Sequence, residues 1–359
     1  MVAEETVTGG PAVSVIVPAR NEECCLGACL ESLAGQSNVT FEVIVVDDGS
    51  TDRTREIAQS FRPVRVVEAG VPPAGWTGKN NAMTAGARVA ANEWLLFTDA
   101  DTVHKPGSLA RAVSEAQQRS VAMLSYSPEQ EVRGIWEKSV MPVVFAELAV
   151  SYRPALVSDP RSSAAAANGQ YILVSREAYD AIGGHAAVSD SLLEDVELAR
   201  VVKASGRKIF FRYGGDAVRT RMYRSFSQLR EGWTKNLAVL FLSPSRLALL
   251  RLTEFVLIAG AGVTAVVGLL RGHFGSGMVG AILVAGLYGV FFSRIRKAHF
   301  PWDANLLSLL GLPLFSYLLL RSWLSYERGS VNWKGRTYDT GTTRRQARAL
   351  VRPVKQRSA

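Results

Sequence analysis

The chain has 359 residues, 48% of them hydrophobic, and a formal net charge of +9. This length allows two structural units, each with a core of its own. The mean hydropathy of +0.09 is high for a soluble protein, and the apolar excess lies after about residue 236. The composition therefore predicts a globular domain followed by membrane segments.

Much of the positive charge is concentrated at the carboxyl end of the sequence. Residues 327–359 contain nine basic and two acidic side chains, a local net charge of +7. Such a segment suits an anionic membrane surface. The sequence contains no zinc finger, RNP motif or other nucleic-acid signature, so we expect no nucleic-acid partner.

The cysteines and the amino-terminal segment exclude an exported, disulfide-stabilised domain. Cys24, Cys25 and Cys29 fall within six positions on one predicted helix, which rules out a disulfide framework. No histidine lies nearby to complete a zinc site. Residues 1–10 are acidic and polar, unlike a signal peptide or an anchor. We therefore expect the first domain to lie in the cytoplasm.

Strands alternate with helices over the first 240 residues. Short apolar, β-branched runs predict buried strands, at residues 13–17, 41–46, 64–67, 94–98, 121–126 and 170–174. The intervening stretches predict helices, at residues 21–33, 51–60, 79–91, 106–118 and 191–204. This alternation predicts βαβ units and hence an α/β fold with a mostly parallel, twisted sheet.

Residues 133–157 are rich in Val, Ala, Trp and Phe and contain few charges. Hydrophobic periodicity does not separate an amphipathic helix near a membrane from a buried core helix. Both alternatives stay open for this segment.

Three later segments approach the length of about 20 apolar residues that crosses a bilayer, at about residues 252–270, 276–293 and 304–322. The basic run 294–297 predicts a cytoplasmic loop. The predicted organisation is then a catalytic domain, an interfacial connector, membrane segments and a basic cytoplasmic tail, at residues 1–235, 236–251, 252–325 and 326–359.

Three complete crossings conflict with the positive-inside rule, because they would place the basic tail outside. Either the third segment is re-entrant, broken at Gly311 and Pro313, or another span exists around residues 237–250. We favour the broken segment.

Polar clusters follow three of the predicted strands, at residues 18–22, 47–52 and 99–101. In open α/β sheets, ligands bind beyond the carboxyl ends of the strands. The three clusters therefore predict one binding site along that edge.

Asp99 and Asp101 follow a buried strand and are separated by one residue. Such carboxylates can share Mg²⁺ or Mn²⁺, which completes its shell with diphosphate oxygens and water. The cation neutralises a leaving diphosphate. A solvated turn is the alternative for this common pattern.

Asp47 and Asp48 end the second strand, and a carboxylate there can accept a hydrogen bond from a nucleobase. A helix-entry turn is the alternative. Pro18, Arg20 and Glu22 follow the first strand as candidate substrate contacts, and Glu22 could equally cap a helix.

Lys79 stands at a helix start, where a cation opposes the helix dipole. An anionic ligand would explain this position.

Glu194 and Asp195 lie on a predicted amphipathic helix. Transfer of a sugar to a hydroxyl with inversion needs one base to take the acceptor proton, and Asp195 is our candidate; an exposed helical acid is the alternative. Asn168 and Trp233 are further candidate contacts. Trp233 could instead be an interfacial aromatic residue.

The motifs PARNEE, VVDDGSTD, GWTGKNNA, DADT and LLEDVELA resemble, in order and spacing, those of family 2 inverting glycosyltransferases with the GT-A fold. The resemblance covers about residues 13–240. GWTGKNNA, EGWTKN, WKGRTY and the carboxyl-terminal spans resemble the hopene-associated and carotenoid glycosyltransferase branch.

The resemblance implies a role for each matching residue. Glu22 and Asp48 match nucleoside contacts, and Lys79 matches a contact to the donor diphosphate. Asp99 and Asp101 match the metal motif. Asp195 matches the catalytic base, in a pair with Glu194.

Processive members of the family carry Gln-x-x-Arg-Trp, whereas residues 228–233 here read QLREGW. We therefore expect metal-dependent transfer of a single sugar from a nucleotide-diphosphate sugar, with UDP-sugar as the first expectation, to a lipid hydroxyl. The alternatives are transfer to a polyprenyl phosphate and a non-catalytic protein that binds nucleotide sugars. The expected location is the inner membrane, with several crossings and a cytoplasmic catalytic domain.

Overall fold

The computed structural model describes residues 11–339. Two compact units divide the chain. The first contains the chain up to Glu131 and again Tyr152–Met222. The second contains Val132–Ser151 and the chain from Tyr223 onward. The predicted functional boundaries at residues 235 and 251 stay predictions.

The elements are numbered along the chain. The strands are β1 (Val13–Ala19), β2 (Phe41–Asp47), β3 (Val64–Glu68), β4 (Trp94–Phe97), β5 (Thr102–His104), β6 (Met123–Ser127), β7 (Glu129–Gln130), β8 (Ile172–Ser175), β9 (Ile209–Tyr213), β10 (Val218–Thr220), β11 (Ser330–Trp333) and β12 (Arg336–Asp339). The helices are α1 (Leu26–Ala34), α2 (Thr54–Ser60), α3 (Gly78–Val89), α4 (Ser108–Gln118), α5 (Ile135–Ser151), α6 (Pro154–Ser158), α7 (Arg176–Ala181), α8 (Glu194–Ala204), α9 (Phe226–Leu240), α10 (Pro244–Leu270), α11 (Phe274–Ile295) and α12 (Trp302–Glu327).

The first unit is built on a seven-stranded sheet in the order β3-β2-β1-β4-β8-β6-β9. Only β8 runs antiparallel to its neighbours β4 and β6; the other pairs in this sheet are parallel. A smaller sheet has the order β5-β10-β7. The predicted α/β fold with a mostly parallel sheet is confirmed.

Both faces of the large sheet are covered by helices, because side chains alternate along each strand. Val15 and Val17 of β1 face one core, which contains apolar residues of α1 and α4. Ile16 faces the other, which contains residues of α3 and α8. Gly86 lets α3 approach β1 closely, since a Cβ there would lie 2.5 Å from Ile16 Cγ2.

The ends of several elements differ from the predictions. The helix predicted at residues 21–33 begins only at Leu26, after Asn21 adopts a left-handed conformation with φ 54°. Cys24 and Cys25 therefore precede the helix, and all three cysteines are free, as expected. The strands of the smaller sheet were not predicted, because two or three residues carry no periodic signal.

The single helix expected over residues 133–157 is wrong. It divides into α5 and α6, which belong to different units, and Pro154 begins the second of them. Val140, Val143 and Val144 of α5 are buried, so this helix packs inside the second unit.

The second unit contains three helices that are long and apolar enough to cross a membrane. They are α10, α11 with the 3-10 turn that follows it, and α12. Each of them contains one of the three segments that hydropathy predicted. The predicted break at Gly311 and Pro313 is wrong, because α12 continues through both residues. Gly311 instead lets the helix approach the Ser139 carbonyl of α5 closely.

An additional span over residues 237–250 is also wrong, since this stretch divides between the end of α9 and the start of α10. Strands β11 and β12 form a hairpin after α12. The rest of the basic tail and the amino-terminal segment, residues 340–359 and 1–10, lie outside the described residues.

Candidate active site

The candidate site lies where the strand order reverses. From β1 the chain proceeds outward to β2 and β3, and β4 then returns to the other side of β1. Ligands of open α/β sheets bind at such a switch point, beyond the carboxyl ends of the strands. Because β8 is antiparallel to β4, the turn before β8 also lies at this edge. Asp99 follows β4, and Gly169 precedes β8.

Lys79 connects two carboxylates at this edge. It is the second residue of α3, which begins after Thr77 caps the helix by accepting a hydrogen bond from Asn80 N. Its Nζ lies 2.8 Å from Asp99 Oδ1 and 2.8 Å from Glu194 Oε1. Burial alone would lower the pKa of Lys79, but Asp99 and Glu194 outweigh it and hold that pKa well above its ordinary value.

Glu194 and Asp195 occupy the first turn of α8, where the helix dipole favours negative charge. The backbone N–H of Gly169 donates to Asp195 Oδ2 over 2.9 Å. A Cβ on Gly169 would lie 3.1 Å from Lys79 Nζ and 3.5 Å from an oxygen of each carboxylate. The ammonium group, both carboxylates and the Gly169 backbone therefore converge within van der Waals distance.

The surroundings of Asp195 raise the pKa of its carboxyl group. Burial and the neighbouring Glu194 charge raise the pKa of Asp195 to about 6, against the opposing effects of Lys79 and of the Gly169 and Val196 backbone N–H groups. A carboxylate with this pKa is mostly ionised at pH 7, yet it is a stronger base than an ordinary aspartate.

Hydrogen bonds fasten the loop before α8 to the start of α3. Asn80 is completely buried, and its Nδ2 donates to the carbonyls of Val188 and Ser189 over 2.8 and 3.0 Å. The Thr77 N–H also donates to the Ser189 carbonyl, over 2.8 Å. These contacts set the register between Lys79 and Glu194.

Sequence reasoning missed Asn80, Thr77 and Gly169. Asn80 and Thr77 flank Lys79 in GWTGKNNA, where only the charged residue was singled out. Gly169 stands between Asn168 and Gln170, a turn-forming sequence that could have indicated a close backbone approach.

Asp99 and Asp101 lie in the turn between β4 and β5, at the carboxyl end of β4. Burial raises the pKa of Cys29 to about 12, and the charges of Asp101 and Asp99 contribute to the increase. Among residues 11–339, no group of three or more His, Cys, Asp or Glu side chains is arranged to hold a metal ion. A cation bound by these two aspartates would therefore take most of its ligands from diphosphate and water.

Arg20 and Asp48 form a second group, at the ends of β1 and β2. Arg20 Nη1 donates to the Asp48 carbonyl over 2.9 Å and lies 3.9 Å from Asp48 Oδ2. Asp47 Oδ1 accepts from Ser50 N over 3.0 Å, in the turn that leads toward α2. Asp47 and Asp48 are both buried.

Glu22 lies in the turn before α1, where its Oε2 accepts a hydrogen bond from Cys25 Sγ over 3.2 Å. Its backbone N–H donates to Thr54 Oγ1 over 2.7 Å. Pro18 belongs to β1, opposite Val46 of β2, and so does not follow the strand as expected.

Asn168 and Trp233 have structural partners. Asn168 Oδ1 accepts from Gln170 N over 3.0 Å within the turn before β8. Trp233 belongs to the second unit and is 2% exposed. Its ring packs edge-on against Phe145 and Tyr223, with centroids 6.3 and 5.8 Å away.

Residues 14–183 match the sequence profile of Glycosyl transferase family 2. The match extends from β1 to the end of α7 and includes Lys79, Asp99 and Gly169 of the candidate site. The family resemblance of the sequence motifs is thereby confirmed, and the alternative of a non-catalytic protein is set aside, because the protein is a glycosyltransferase.

Similar proteins extend over nearly the whole chain. The 4,4'-diaponeurosporenoate glycosyltransferase of Staphylococcus aureus strain USA300 is 28% identical over 341 residues, which cover 91% of this chain and 88% of that protein. The protein of the same name from strain MRSA252 is 29% identical over 343 residues, with the same coverage. The carotenoid branch is therefore the part of the family that the chain resembles.

A solved structure shows the fold. The mannosyltransferase PcManGT from Pyrobaculum calidifontis, in complex with GDP-Man and Mn²⁺, superposes with a TM-score of 0.50 at 17% identity. The match covers 89% of this chain and 87% of that one. The fold is therefore of the GT-A type.

We predict that Lys79→Met destabilises the protein by about 1–3 kcal/mol at pH 8 and by less at pH 5. Removal of one partner from a buried pair leaves the other charge unpaired, and partial exposure reduces that cost. At pH 5 Asp195, whose pKa is raised, takes up a proton, which relieves the repulsion within the cluster. Thermal unfolding in detergent at both pH values measures the effect. Lys208→Met, at an exposed lysine, is the control, and an equal loss at both pH values would contradict the prediction.

Proposed function

We propose that the protein transfers a single sugar, with inversion, from a nucleotide-diphosphate sugar to a hydroxyl group of a membrane lipid of the carotenoid or hopanoid type. The observation that carries the proposal is Asp195, a carboxylate with a pKa raised to about 6, held beside Lys79 and Asp99 at the switch point of the sheet. Asp195 is the general base that takes the acceptor proton.

One base is sufficient for this reaction. A leaving diphosphate neutralised by a divalent cation would need no proton, whereas glycoside hydrolysis requires two carboxylic groups. Gly169 N–H and Val196 N–H each hold one oxygen of Asp195, over 2.9 and 2.8 Å. These bonds orient the carboxylate, so that its remaining lone pairs are available to the incoming hydroxyl.

The charge of the cluster favours a hydroxyl acceptor over an anionic one. The substrate in the relatives' name, 4,4'-diaponeurosporenoate, is by that name a carboxylate. An acceptor carboxylate or phosphate is already ionised and needs no base, and it would be repelled by Glu194 and Asp195. A carboxylate with an elevated pKa suits a reaction in which a proton must be removed.

The donor set fits Mg²⁺ or Mn²⁺. When ionised, Lys79 and the carboxylates of Asp99, Glu194 and Asp195 carry one positive and three negative charges, and such a site repels a diphosphate. Asp99 and Asp101 supply the hard oxygen ligands that these cations prefer. When bound, the cation would neutralise the diphosphate.

Other residues are proposed for donor binding. The buried Asp48, fixed by Arg20, and Glu22 at the start of α1 would contact the nucleoside. Lys79 would exchange one of its carboxylate partners for a diphosphate oxygen. Asp47, Pro18, Asn168 and Trp233 have structural partners, and any role in substrate binding for them stays a prediction.

The apolar helices associate the protein with a membrane. We propose the inner membrane, with the catalytic unit on its cytoplasmic side. A lipid acceptor could then reach the enzyme without leaving the bilayer.

We expect Asp195→Asn to lower turnover with a hydroxyl acceptor by about 100-fold or more, since this is the usual contribution of a general base. Affinity for the donor with Mn²⁺, measured by calorimetric titration, should stay within a few-fold of the original. The thermal midpoint should change little, because asparagine removes a partly buried charge but keeps only one of the two oxygens that accept from Gly169 and Val196. Near-full turnover of the variant would show that Asp195 is not the base.

Comparison of acceptors separates the proposal from its alternative. The variant should lose much less activity with a carotenoid carboxylate or a polyprenyl phosphate than with a carotenoid alcohol. An equal loss with all three acceptors would mean that Asp195 acts on the donor or on the fold.

The pH profile should report the pKa of Asp195. We expect kcat/KM to fall about tenfold per pH unit below pH about 6, as Asp195 takes up a proton, and to level off above it. Glu194→Gln removes a negative charge that raises the pKa of Asp195, so its profile should shift to lower pH. Glu197→Gln, on the same helix but paired with Arg200, should leave the midpoint in place. A shift to higher pH in the Glu194 variant would contradict this account.

Metal dependence can be tested without turnover. In the wild type, Mn²⁺ should strengthen donor binding in a calorimetric titration. Asp101→Asn and Asp99→Ala should abolish that increment, because each removes a ligand oxygen. Asp159→Asn, in a loop where Asp159 bonds Arg161, is the control. An unchanged increment in both site variants would refute the metal assignment.

A further inference from the structure

Helices α10 and α11 form an antiparallel hairpin. Gly268 and Gly277 lie in close contact, as do Gly280 and Ala265. In the most hydrophobic stretch of each helix, only 22% of the residues of α10 and 17% of those of α11 are buried inside the protein. Small residues at the contact and apolar residues elsewhere are typical of helices packed within a bilayer.

Charged side chains mark one boundary of the hairpin. No charged side chain occurs in α10 between Glu254 and Arg271, or in α11 before Arg294. Arg294 binds Glu254 over 2.8 Å, and Arg251 binds Glu147 of α5 over 3.0 Å. Because charges are costly in hydrocarbon, this network lies at the edge of the bilayer, and the apolar part of the hairpin extends away from it.

Helix α12 does not run beside this apolar part. In three crossings side by side, α12 would be parallel to α10, and its middle would face the middle of α10. Instead Ser316, in the middle of α12, donates to the carbonyl of Ala248 over 2.9 Å. Ala248 precedes the charged boundary, in the second turn of α10. The middle of α12 is therefore level with the edge of the bilayer.

Both ends of α12 also bind elements outside the hairpin. At its start, Asp303 pairs with Lys138 of α5 over 2.6 Å. Near its end, Tyr326 OH donates to the Lys235 carbonyl of α9 over 2.7 Å. The start, the middle and the end of α12 thus each contact a residue outside the apolar part of the hairpin.

The two faces of α12 differ. One face packs against the rest of the second unit. In the most hydrophobic stretch of α12, 50% of the residues are buried. The opposite face exposes an apolar stripe with 39% to 74% of each side chain accessible, formed by Trp302, Leu306, Leu310, Tyr317, Leu320 and Leu324. These positions recur at helical spacing. Trp and Tyr among them are typical of a membrane interface.

We propose that α10 and α11 alone cross the membrane, and that α12 lies along the surface of the leaflet from which the hairpin starts, with its exposed stripe inserted among the lipids. Continuity with the hairpin identifies the bilayer as the partner of this stripe. The protein then crosses the membrane twice. Tyr223, the basic turn after Arg294 and the hairpin β11–β12 all lie on one side, in agreement with the positive-inside rule.

Cysteine accessibility tests the number of crossings. Gly272→Cys, Lys297→Cys and Thr337→Cys each introduce a thiol at an exposed position, in a Cys24→Ser background of the full chain. Cys25 and Cys29 are buried, and burial raises the pKa of both thiols, so they react slowly. Sealed membrane vesicles of either orientation are treated with a membrane-impermeant maleimide, and detergent gives full labelling.

Two crossings predict that the thiols introduced at positions 297 and 337 label from one face of the membrane and the thiol at position 272 from the other. Three crossings predict that position 337 labels with position 272, opposite to 297. That second result would overturn the proposal. It would leave the assignment of Asp195 unaffected, so the two proposals fail separately.

A matched pair of lysine substitutions tests the contact with lipid. Leu310 lies in the middle of α12, and Leu283 lies in the middle of α11 and is similarly exposed. At the surface, Lys can extend its ammonium group into water. Leu310→Lys should therefore leave the membrane-integrated fraction unchanged, whereas Leu283→Lys should reduce it severalfold. Equal losses, or a change of oligomeric state in detergent caused by Leu310→Lys alone, would contradict the proposal.

Discussion

The ion pairs of Lys79 are the constraint on which the candidate site depends. Its Nζ is shared between Asp99, which follows β4, and Glu194, which begins α8. One side chain on α3 thereby fixes elements that are far apart in sequence. Asn80, the next residue, fixes the loop that leads into α8 through hydrogen bonds to Val188 and Ser189. The geometry of the acidic cluster is thus set by two consecutive residues.

The sequence predicted the components of this cluster but not their contacts. Strand periodicity placed Asp99 at the correct edge of the sheet, because parallel strands end together. Lys79 was noticed for its unfavourable position at a helix start, which predicted an anionic ligand. Its partners in the structure are instead two carboxylates of the protein. The turn-forming sequence around Gly169 marks a close backbone approach, but not its hydrogen bond to Asp195, because a backbone N–H has no signature in a sequence. The assembly of distant residues depends on side-chain packing that periodicity does not report.

In the second unit, hydropathy predicted the three long helices but not whether each of them packs against protein or faces lipid. The segments α10, α11 and α12 have mean hydropathies of 1.9, 1.8 and 1.5, so composition treats them as equivalent. An apolar residue that packs against protein and one that faces lipid contribute equally to hydropathy. The conflict between three crossings and the positive-inside rule was the only sign in the sequence that one of them differs. The contact between Ser316 and Ala248 distinguishes α12 from the other two.

The titration of Asp195 explains why a cation is needed beside it. Folding raises the pKa of Asp195 from 3.8 to about 6. The ionised group therefore destabilises the folded protein above pH about 6, and this destabilisation disappears as the pH falls from about 6 to 3.8. Ionised Asp195 therefore lowers stability at neutral pH, as is common for functional residues. Lys79 limits this loss, because its charge lowers the pKa of Asp195. Without Lys79 the pKa of Asp195 would rise further, and less of its ionised form would be present at neutral pH. With a fully exposed site the pKa would be ordinary, and the carboxylate would be a weak base. Burial and the ammonium group together hold Asp195 in the narrow range where it is both ionised and basic.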